Sequence, residues 1–287
     1  MLKALGIGDN VVDVYVNKNI MYPGGNTMNF CAYARRLGHE AGYIGVFGDD
    51  PPAKHVRSTA ESLGIDLSHA RFLQGENGCA KVSLIDGDRK FIGSNKGGIS
   101  REFPPVLNEN DLEYVKLFDV VHTSCFSYVD QELRKVKSVG TPISYDFSTN
   151  LETKHMKAVC PYLFLAVASC SHMSDEEVRQ FARHISDMGA EMVLLSMGIR
   201  GAIAYDGHRI FYQKAGKEQA IDSMGAGDSF LTAFETTYLE LRKQQTEHNN
   251  AMKVALQKAA DFATEICMID GAFGYGVPYE PEHYSEI

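Results

Sequence analysis

The sequence has no paired-cysteine motif, no long apolar run and no excess of basic residues, and each absence excludes a class of protein. Its six cysteines are scattered, without a CxxC pair or a metal-ligand spacing, which predicts reduced, mostly buried thiols in a cytoplasmic protein. The apolar stretches are too short for a signal or membrane helix. With 28 basic against 37 acidic residues, the formal net charge of −9 argues against nucleic-acid or anionic-membrane binding.

The GxxxxGK[ST] pattern of a P-loop is also absent, so any nucleotide phosphate must be held by other means. Instead, residues 222–230 read DSMGAGDSF before an apolar helical run. Gly225 and Gly227 allow successive N–H groups to converge, and a helix start adds a positive dipole end. A carboxylate beside such an anion site, Asp228, suits a group that accepts a proton from an attacking hydroxyl. The alternative is a helix-capping aspartate after a glycine turn.

Apolar β-rich runs alternate with amphipathic stretches along the chain. This alternation predicts a mostly parallel sheet with helices on both faces and ligands at the strand carboxyl ends. The predicted strands cover Leu2–Ile7, Gly42–Phe47, Val120–His122, Ile143–Asp146, Tyr162–Val167, Met192–Ser196 and Ala202–Tyr205. The predicted helices cover Asn26–Leu37, Ala53–Leu63, Asp111–Leu117, Ser174–Met188, Ala226–Leu241 and Ala251–Met268.

Two segments break this alternation. In Val11–Val16, apolar and polar residues alternate as in a strand, but no helical pattern follows. Residues 78–93 contain two β-rich runs separated by Asp86-Gly87, a strong hairpin signal. These segments predict a small β lid added to the α/β body. The alternative is a surface hairpin without a role.

Four polar residues near the amino terminus are candidates for substrate contacts. Asp9 and Asp13 are four residues apart and would face the same side of a strand, either to bind the hydroxyls of a polyol or as a solvated edge. Asn26 follows a glycine turn as a helix cap would. Asn29, one turn later, is a polar residue in an otherwise apolar helix start, which the cap does not explain.

Four blocks of the sequence, in order, resemble the PfkB (ribokinase-like) carbohydrate kinases: residues 6–13 (GIGDNVVD), 21–30 (MYPGGNTMNF), 195–201 (LSMGIRG) and 222–230. The resemblance spans nearly the whole chain. It implies a ribokinase-like three-layer α/β sandwich, formed by a single kinase domain over residues 1–287. It also implies a lid, over residues of about 11–22 and 78–96, that covers the sugar and joins two copies as a homodimer.

The resemblance further implies roles for individual residues. Asp228 would be the general base, and the anion hole would consist of Gly225, Ala226 and Gly227. The sugar would contact Asp9, Asp13, Gly25, Asn26 and Asn29. The nucleotide would contact Ser196, Gly198, Gly201 and Ser223. ATP would come with Mg²⁺, and Asp222 would either flank a potassium site or bridge backbone groups.

The chain departs from the family at the Asn-x-x-Glu segment, whose glutamate helps to organise Mg²⁺. Residues 168–172 read ASCSH, and only Asp175 or Glu176 follow as substitutes. This departure, Met224 and the segments 7–15 and 145–148 resemble the subgroup that phosphorylates fructoselysine at its 6-hydroxyl. The sequence therefore predicts an ATP-dependent kinase for a fructosamine. The alternatives are a kinase for an unmodified sugar, such as fructose or ribose, and a non-catalytic sensor of sugar or nucleotide.

Overall fold

The computed structural model describes residues 1–85, 88–216 and 220–280. Its strands are β1 (Lys3–Gly8), β2 (Val11–Tyr15), β3 (Ile20–Gly24), β4 (Glu40–Phe47), β5 (Arg71–Phe72), β6 (Gly78–Ile85), β7 (Asp88–Ser94), β8 (Val120–Ser124), β9 (Ile143–Asp146), β10 (Leu165–Ser169), β11 (Met192–Ser196), β12 (Ala202–Tyr205), β13 (Ile210–Gln213) and β14 (Val277–Pro278). Its α-helices are α1 (Asn26–Arg36), α2 (Pro51–Ser62), α3 (Ile99–Glu102), α4 (Glu109–Val115), α5 (Leu133–Ser138), α6 (Thr153–Val159), α7 (Asp175–Asp187), α8 (Ala226–Lys243) and α9 (His248–Ile266).

The main sheet contains nine strands within the described residues, in the order β13-β12-β11-β10-β9-β8-β1-β4-β5. In this order, every neighbouring pair from β11 through β10, β9, β8, β1 and β4 to β5 is parallel. At the other edge, β12 pairs antiparallel with both β11 and β13. Parallel strands joined by crossover helices have all their carboxyl ends at the same edge of the sheet. That edge is where a ligand site is expected.

The central strands are buried on both faces, so their successive side chains enter two different hydrophobic cores. In β1, Ala4 packs in a core shared with α1, α2, α8 and α9, whereas Leu5 and Ile7 pack in a core shared with α4 to α7. Burial on both faces is why these strands are continuous apolar runs. The predicted arrangement of a mostly parallel sheet between two helical layers is confirmed.

A second sheet contains five described strands in the order β14-β3-β2-β6-β7. Strand β2 pairs antiparallel with β3 and parallel with β6, and β6 pairs antiparallel with β7. The segments 11–22 and 78–96 therefore meet in one sheet, and β14 joins it from the other end of the chain. The predicted hairpin turn at Asp86 and Gly87 lies outside the described residues. The role of this sheet as a lid stays a prediction.

Most predicted elements are present with ends shifted by a few residues. The predicted strand over Tyr162–Val167 begins instead at Leu165, because Cys160–Tyr162 forms a 3₁₀ turn around Pro161, which has no N–H for a strand ladder. The short elements that were not predicted are α3, α5, α6, β3, β5, β13 and β14. The six cysteines are free thiols, and four of them are buried. No helix in the described ranges is both long enough and apolar enough to cross a membrane.

Candidate active site

Polar side chains collect at the edge of the main sheet where the parallel strands end. Asp9 directly follows β1, and Ser124, Asp146, Ser169 and Ser196 are the last residues of β8, β9, β10 and β11. After Asp9 the chain leaves the main sheet and enters the second sheet through β2. The two sheets therefore adjoin at this edge, where open α/β folds bind their ligands.

The Gly-Ala-Gly segment forms the start of α8. Gly225 is the N-cap, with a φ of 72° in the left-handed region, and a Cβ there would lie 2.0 Å from the Tyr33 hydroxyl oxygen. Ala226 is the first helical residue, and Gly227 has open space within 4 Å of the place its Cβ would take. The N–H groups of a first turn have no carbonyl partner inside their helix. This turn therefore has the geometry of an anion-binding site.

Asp228 lies in the first turn of α8 without capping it, since the N-cap is Gly225 and no side chain caps this helix. The capping alternative is therefore wrong. Its carboxylate accepts hydrogen bonds from two amides of α1, from Asn26 Nδ2 to Oδ1 at 2.8 Å and from Asn29 Nδ2 to Oδ2 at 2.6 Å. Because both oxygens are held, the direction of the carboxylate is fixed beside the open turn.

Asn26 is not a helix cap either. Helix α1 begins at Asn26 with Gly25 as its N-cap and has no side-chain cap. Gly25 has a φ of 104°, and a Cβ there would lie 2.8 Å from the Cα of Asn10. Asn29 Oδ1 is buried and has no hydrogen-bond partner among the described residues. An unpaired buried amide oxygen is uncommon, and a hydroxyl of a ligand would satisfy it.

Asp146 completes this cluster, although the sequence indicated it only as part of the subgroup resemblance. Asn26 Nδ2 donates to Asp146 Oδ2 at 2.8 Å as well as to Asp228, so one amide nitrogen bridges two carboxylates. The backbone N–H of Ser148 donates to Asp146 Oδ1 at 2.7 Å. Burial and the nearby charge of Asp228 raise the pKa of Asp146 to about 7. Its place at the end of an apolar parallel strand was a signal that could have identified it.

Asp9 and Asp13 do not share a strand, so the predicted reason for their common orientation is wrong. Strand β1 ends at Gly8, and Asp13 lies on β2 in the other sheet. Both side chains are nevertheless buried, with 5% of each residue exposed, which excludes the solvated-edge alternative.

The two aspartates converge on the same glycine turn. A Cβ on Gly24 would lie 2.4 Å from Asp13 Oδ2, and one on Gly25 would lie 3.1 Å from Asp9 Oδ2. Asp9 Oδ1 accepts the hydroxyls of three neighbours, Thr27 at 2.7 Å, Ser127 at 2.9 Å and Ser124 at 3.1 Å. Asp9 Oδ2 accepts no hydrogen bond from the described residues, which leaves this oxygen for a ligand.

His122 on β8 also belongs to the site, and the sequence did not indicate it. Its Nε2 lies 2.8 Å from Asn26 Oδ1 and its Nδ1 lies 2.9 Å from Ser144 Oγ. Burial lowers the pKa of His122 to about 3, so the imidazole is neutral at physiological pH. No sequence signal could have identified it, since a histidine in an apolar strand is ordinarily a core residue.

The residues predicted to contact nucleotide lie on the other side of the cluster. Ser196 ends β11, two strands from Asp146 and so about 10 Å away along the sheet edge. The loop that follows has two glycines in left-handed conformations, Gly198 (φ 60°) and Gly201 (φ 95°). Ile199 between them is 97% exposed. This side of the site is made largely of loop backbone.

Ser223 and Asp222 lie just before α8. The Ser223 carbonyl accepts the Ala226 N–H at 3.3 Å. Asp222 is fully buried; its Oδ1 accepts the Met224 N–H at 2.9 Å, and its Oδ2 accepts the Tyr15 hydroxyl at 2.6 Å and the Gly271 N–H at 2.8 Å. This geometry is that of a carboxylate that bridges backbone groups.

The stretch that replaces Asn-x-x-Glu is stabilised by an arginine. Arg200 donates to the Asp175 carboxylate and, at 3.1 Å, to the Ser171 carbonyl. Glu176 accepts a hydrogen bond from Gln180 on the exposed face of α7. Both substitutes for the missing glutamate thus have partners. In the part of the chain that the structure describes, no group of three or more His, Cys, Asp or Glu side chains is arranged to hold a metal ion.

Comparison with known proteins places this site in context. The model of a family described as pfkB family carbohydrate kinase matches residues 4–269. Fructosamine kinase FrlD of Bacillus subtilis (strain 168) is 39% identical over 282 residues, which cover 98% of this chain and 96% of that protein. Fructoselysine 6-kinase of Escherichia coli (strain K12) is 32% identical over 228 residues, which cover 79% of this chain and 86% of that protein.

Solved structures show the same fold at lower identity. Aminoimidazole riboside kinase from Salmonella enterica, complexed with aminoimidazole riboside and an ATP analogue, superimposes with a TM-score of 0.74 at 19% identity over 94% of this chain and 95% of that one. Arabidopsis thaliana ribokinase, complexed with ribose and ATP, gives a TM-score of 0.74 at 20% identity over 95% and 94% of the two chains. The fold is therefore ribokinase-like, as the sequence predicted.

Proposed function

We propose that this chain, which belongs to the pfkB family of carbohydrate kinases, transfers the γ-phosphate of ATP to a primary hydroxyl of a fructosamine such as fructoselysine. The observation that carries the substrate class is the 39% identity, over 98% of the chain, with a protein named fructosamine kinase. The second relative, a fructoselysine 6-kinase, agrees with the 6-hydroxyl as acceptor.

In this proposal Asp228 is the general base. The acceptor hydroxyl lies against the Asp228 carboxylate, whose orientation is fixed by Asn26 and Asn29. As the hydroxyl oxygen attacks the γ-phosphorus, its proton moves to Asp228 and the bond to the β-phosphate oxygen breaks, which releases ADP. The N–H groups at the start of α8, from the Gly225-Ala226-Gly227 turn, stabilise the charge on the transferring phosphoryl group, although that of Ala226 also makes a long contact of 3.3 Å to the Ser223 carbonyl.

The sugar is bound by polar side chains of buried residues that have capacity left for hydroxyls. Asp9 Oδ2 accepts no hydrogen bond from the described residues, and Asn29 Oδ1 is a buried acceptor without a partner there. Asp13 lies against the neighbouring Gly24, and in this proposal both Asp13 and Gly25 contact the sugar. A site with fixed acceptors discriminates strongly against ligands that lack matching hydroxyls.

The nucleotide lies along the loop after β11, with Ser196, Gly198, Gly201 and Ser223 as contacts. The described side chains offer no ligand set for a resident metal. Mg²⁺ enters as part of the MgATP substrate, held mainly by the phosphates. Potassium activation rests on Asp222 alone, whose oxygens already accept three hydrogen bonds. Turnover in potassium against sodium chloride checks that expectation.

The second sheet acts as a lid over the sugar and as a surface for a second copy of the chain. Strand β7 is at the edge of this sheet and exposes Phe91 and Ile92. An edge strand with exposed apolar side chains favours association. We expect a homodimer in light scattering at micromolar concentration; a monomeric mass would exclude the dimer and leave the lid to be tested by substrate-induced protection of β6 and β7 from hydrogen exchange.

The proposed substrate is tested by steady-state kinetics at fixed MgATP with fructoselysine, other fructosamines, fructose, ribose and adenosine, with the phosphorylated carbon mapped by NMR. We expect the highest kcat/KM for a fructosamine, with phosphate on carbon 6. Fructose presents many of the same hydroxyls without the amine, so it should be a poor substrate. An equal or higher value for fructose or ribose would identify a kinase of unmodified sugars, and binding without turnover of any sugar would identify a sensor.

A further inference from the structure

A row of buried polar side chains, joined by hydrogen bonds, connects to the site through Asn26. The proposed phosphoryl transfer does not use this row. Glu235 of α8 has its Oε2 2.8 Å from Ser144 Oγ, and Ser144 Oγ lies 2.9 Å from His122 Nδ1. His122 Nε2 in turn lies 2.8 Å from Asn26 Oδ1. Glu235, Ser144 and His122 are each 1% exposed or less. The row therefore links the middle of α8 to the Asn26 amide, which bridges Asp146 and Asp228.

The numbers of donors and acceptors on these side chains determine which group donates in each hydrogen bond of the row. Asn26 can donate to both carboxylates only if its NH₂ group faces them, and its Oδ1 must then accept a hydrogen bond from a protonated His122 Nε2. A neutral imidazole with a proton on Nε2 has an acceptor at Nδ1, which accepts a hydrogen bond from the Ser144 hydroxyl. The Ser144 oxygen then accepts from Glu235 in its acid form. The reverse direction would turn Asn26 Oδ1 towards two carboxylates, which is electrostatically unfavourable.

The charge states of the two titratable groups, Glu235 and His122, agree with this direction. Burial raises the pKa of Glu235 to about 8 and lowers that of His122 to about 3, so both are neutral at pH 7. Glu235 Oε1 is buried without a partner among the described residues, a poor environment for a carboxylate anion. The Phe30 ring packs on the imidazole with centroids 4.6 Å apart and restricts its rotation.

We propose that His122 is a positioning residue of the kinase, held by Ser144 and Glu235 in its Nε2–H form so that Asn26 presents its NH₂ group to Asp146 and Asp228. The proposal rests on the assignment of Asp228 as the base. It explains why a histidine, a serine and a glutamate occupy places that apolar side chains would otherwise fill. A base whose supporting amide can flip spends part of its time misdirected, and small misplacements of reacting groups lower kcat strongly.

The test compares variants that remove a hydrogen bond of the row with variants that keep all of them. His122→Leu and Glu235→Met should each lower kcat about tenfold to a hundredfold with KM for ATP unchanged. Glu235→Gln keeps a donor for Ser144 and should retain kcat within about threefold of wild type. Thr123→Val is the matched control, because Thr123 is the next residue of β8, is buried, and its hydroxyl oxygen has no partner in the described residues; it should leave kcat unchanged.

Two results would overturn the proposal: wild-type kcat in folded His122→Leu, or equal losses in Glu235→Gln and Glu235→Met. If His122→Leu does not fold, two-bond ¹H–¹⁵N spectra of histidine-labelled wild-type protein decide, with His122 assigned by the shift that Ser144→Ala causes. A neutral ring with its proton on Nε2 supports the proposal, and a proton on Nδ1 or a charged ring overturns it. This spectrum needs no turnover, so it separates failure of the positioning role from failure of the kinase assignment.

Discussion

The proposed function divides the site into an acceptor side, where the sugar would bind, and a phosphate side, where the nucleotide would bind, and the two differ in composition. On the acceptor side, Asp228 is held by Asn26 and Asn29 at 2.6 to 2.8 Å, and Asp9 accepts three hydroxyls. On the phosphate side, the loop after β11 has glycines at positive φ and an isoleucine, Ile199, that is 97% exposed. The acceptor side is made of side chains in a fixed network, and the phosphate side is made of backbone.

In the proposed function, this difference follows from what each side would bind. A sugar is recognised by the placement of single hydroxyls, which requires donors and acceptors fixed in direction. Phosphates are recognised by charge and can be held by N–H groups of a helix start and by a cation. The two sides should therefore respond differently to the loss of a side chain.

The largest expected effect is on the phosphate side and comes from removing Mg²⁺ from the MgATP substrate. The sequence has no P-loop lysine to neutralise the phosphates, so excess EDTA should reduce turnover to background, and added Mg²⁺ should restore it. Substrate consumption measured by ³¹P NMR checks this. Full turnover in EDTA would show that the protein alone neutralises the phosphate charge.

The next effect is on the acceptor side. Asn29→Leu removes the hydrogen bond to Asp228 Oδ2 and the free amide oxygen, so kcat/KM for the sugar should fall about a hundredfold or more. KM for ATP should change little. Asn250→Leu, at an exposed position of α9, is the control. A similar loss in both variants would mean that the first acts through folding rather than through the site.

A smaller effect is expected from a side chain on the phosphate side. If backbone supplies most of the contacts there, Ser196→Ala should raise KM for ATP by only about twofold to fivefold and leave kcat nearly constant. The variant loses a single hydrogen bond, which water can replace. A loss of kcat as large as that of Asn29→Leu would remove the contrast between the two sides.

A last expected effect is on stability rather than on turnover, and it concerns the buried residues that support the acceptor side. Because the pKa of Glu235 is raised to about 8 from its ordinary 4.5, the unfolded chain binds fewer protons than the folded chain between these values. Stability should therefore fall as pH rises through this range. Relative to wild type, the free energy of unfolding of Glu235→Gln should therefore rise by on the order of 4 kcal/mol from pH 5 to 9, since each pH unit in this range contributes about 1.4 kcal/mol. Parallel curves in urea denaturation would contradict this.

The fold was predictable because its signals are local. Strand runs such as Ile143–Asp146 and the glycine turn before Asp228 depend on neighbouring residues, and the structure has them at or near the predicted places. Pro161 shifted one strand, and the chain crossed between sheets at Asp9, because short turns redirect the backbone without changing the apolar pattern.

The network of the site was only partly predictable for the same reason. Asn26, Asn29 and Asp228 lie in recognisable segments, but their hydrogen bonds connect positions about two hundred residues apart in the sequence. His122 lies in a strand whose pattern is simply apolar, and nothing local distinguishes it from a core residue. Its role depends on which strand lies beside α1, and this is decided by tertiary packing.

The measurement that tests the account most directly is single-turnover and steady-state kinetics of Asp228→Asn with fructoselysine and MgATP. The substitution keeps size and removes the proton-accepting charge, so we expect kcat to fall by roughly 10²–10⁴-fold while the Kd for ATP changes only modestly. Retention of more than about a tenth of wild-type turnover would contradict the assignment of Asp228 as the base and, with it, the view that the acceptor side exists to hold that carboxylate.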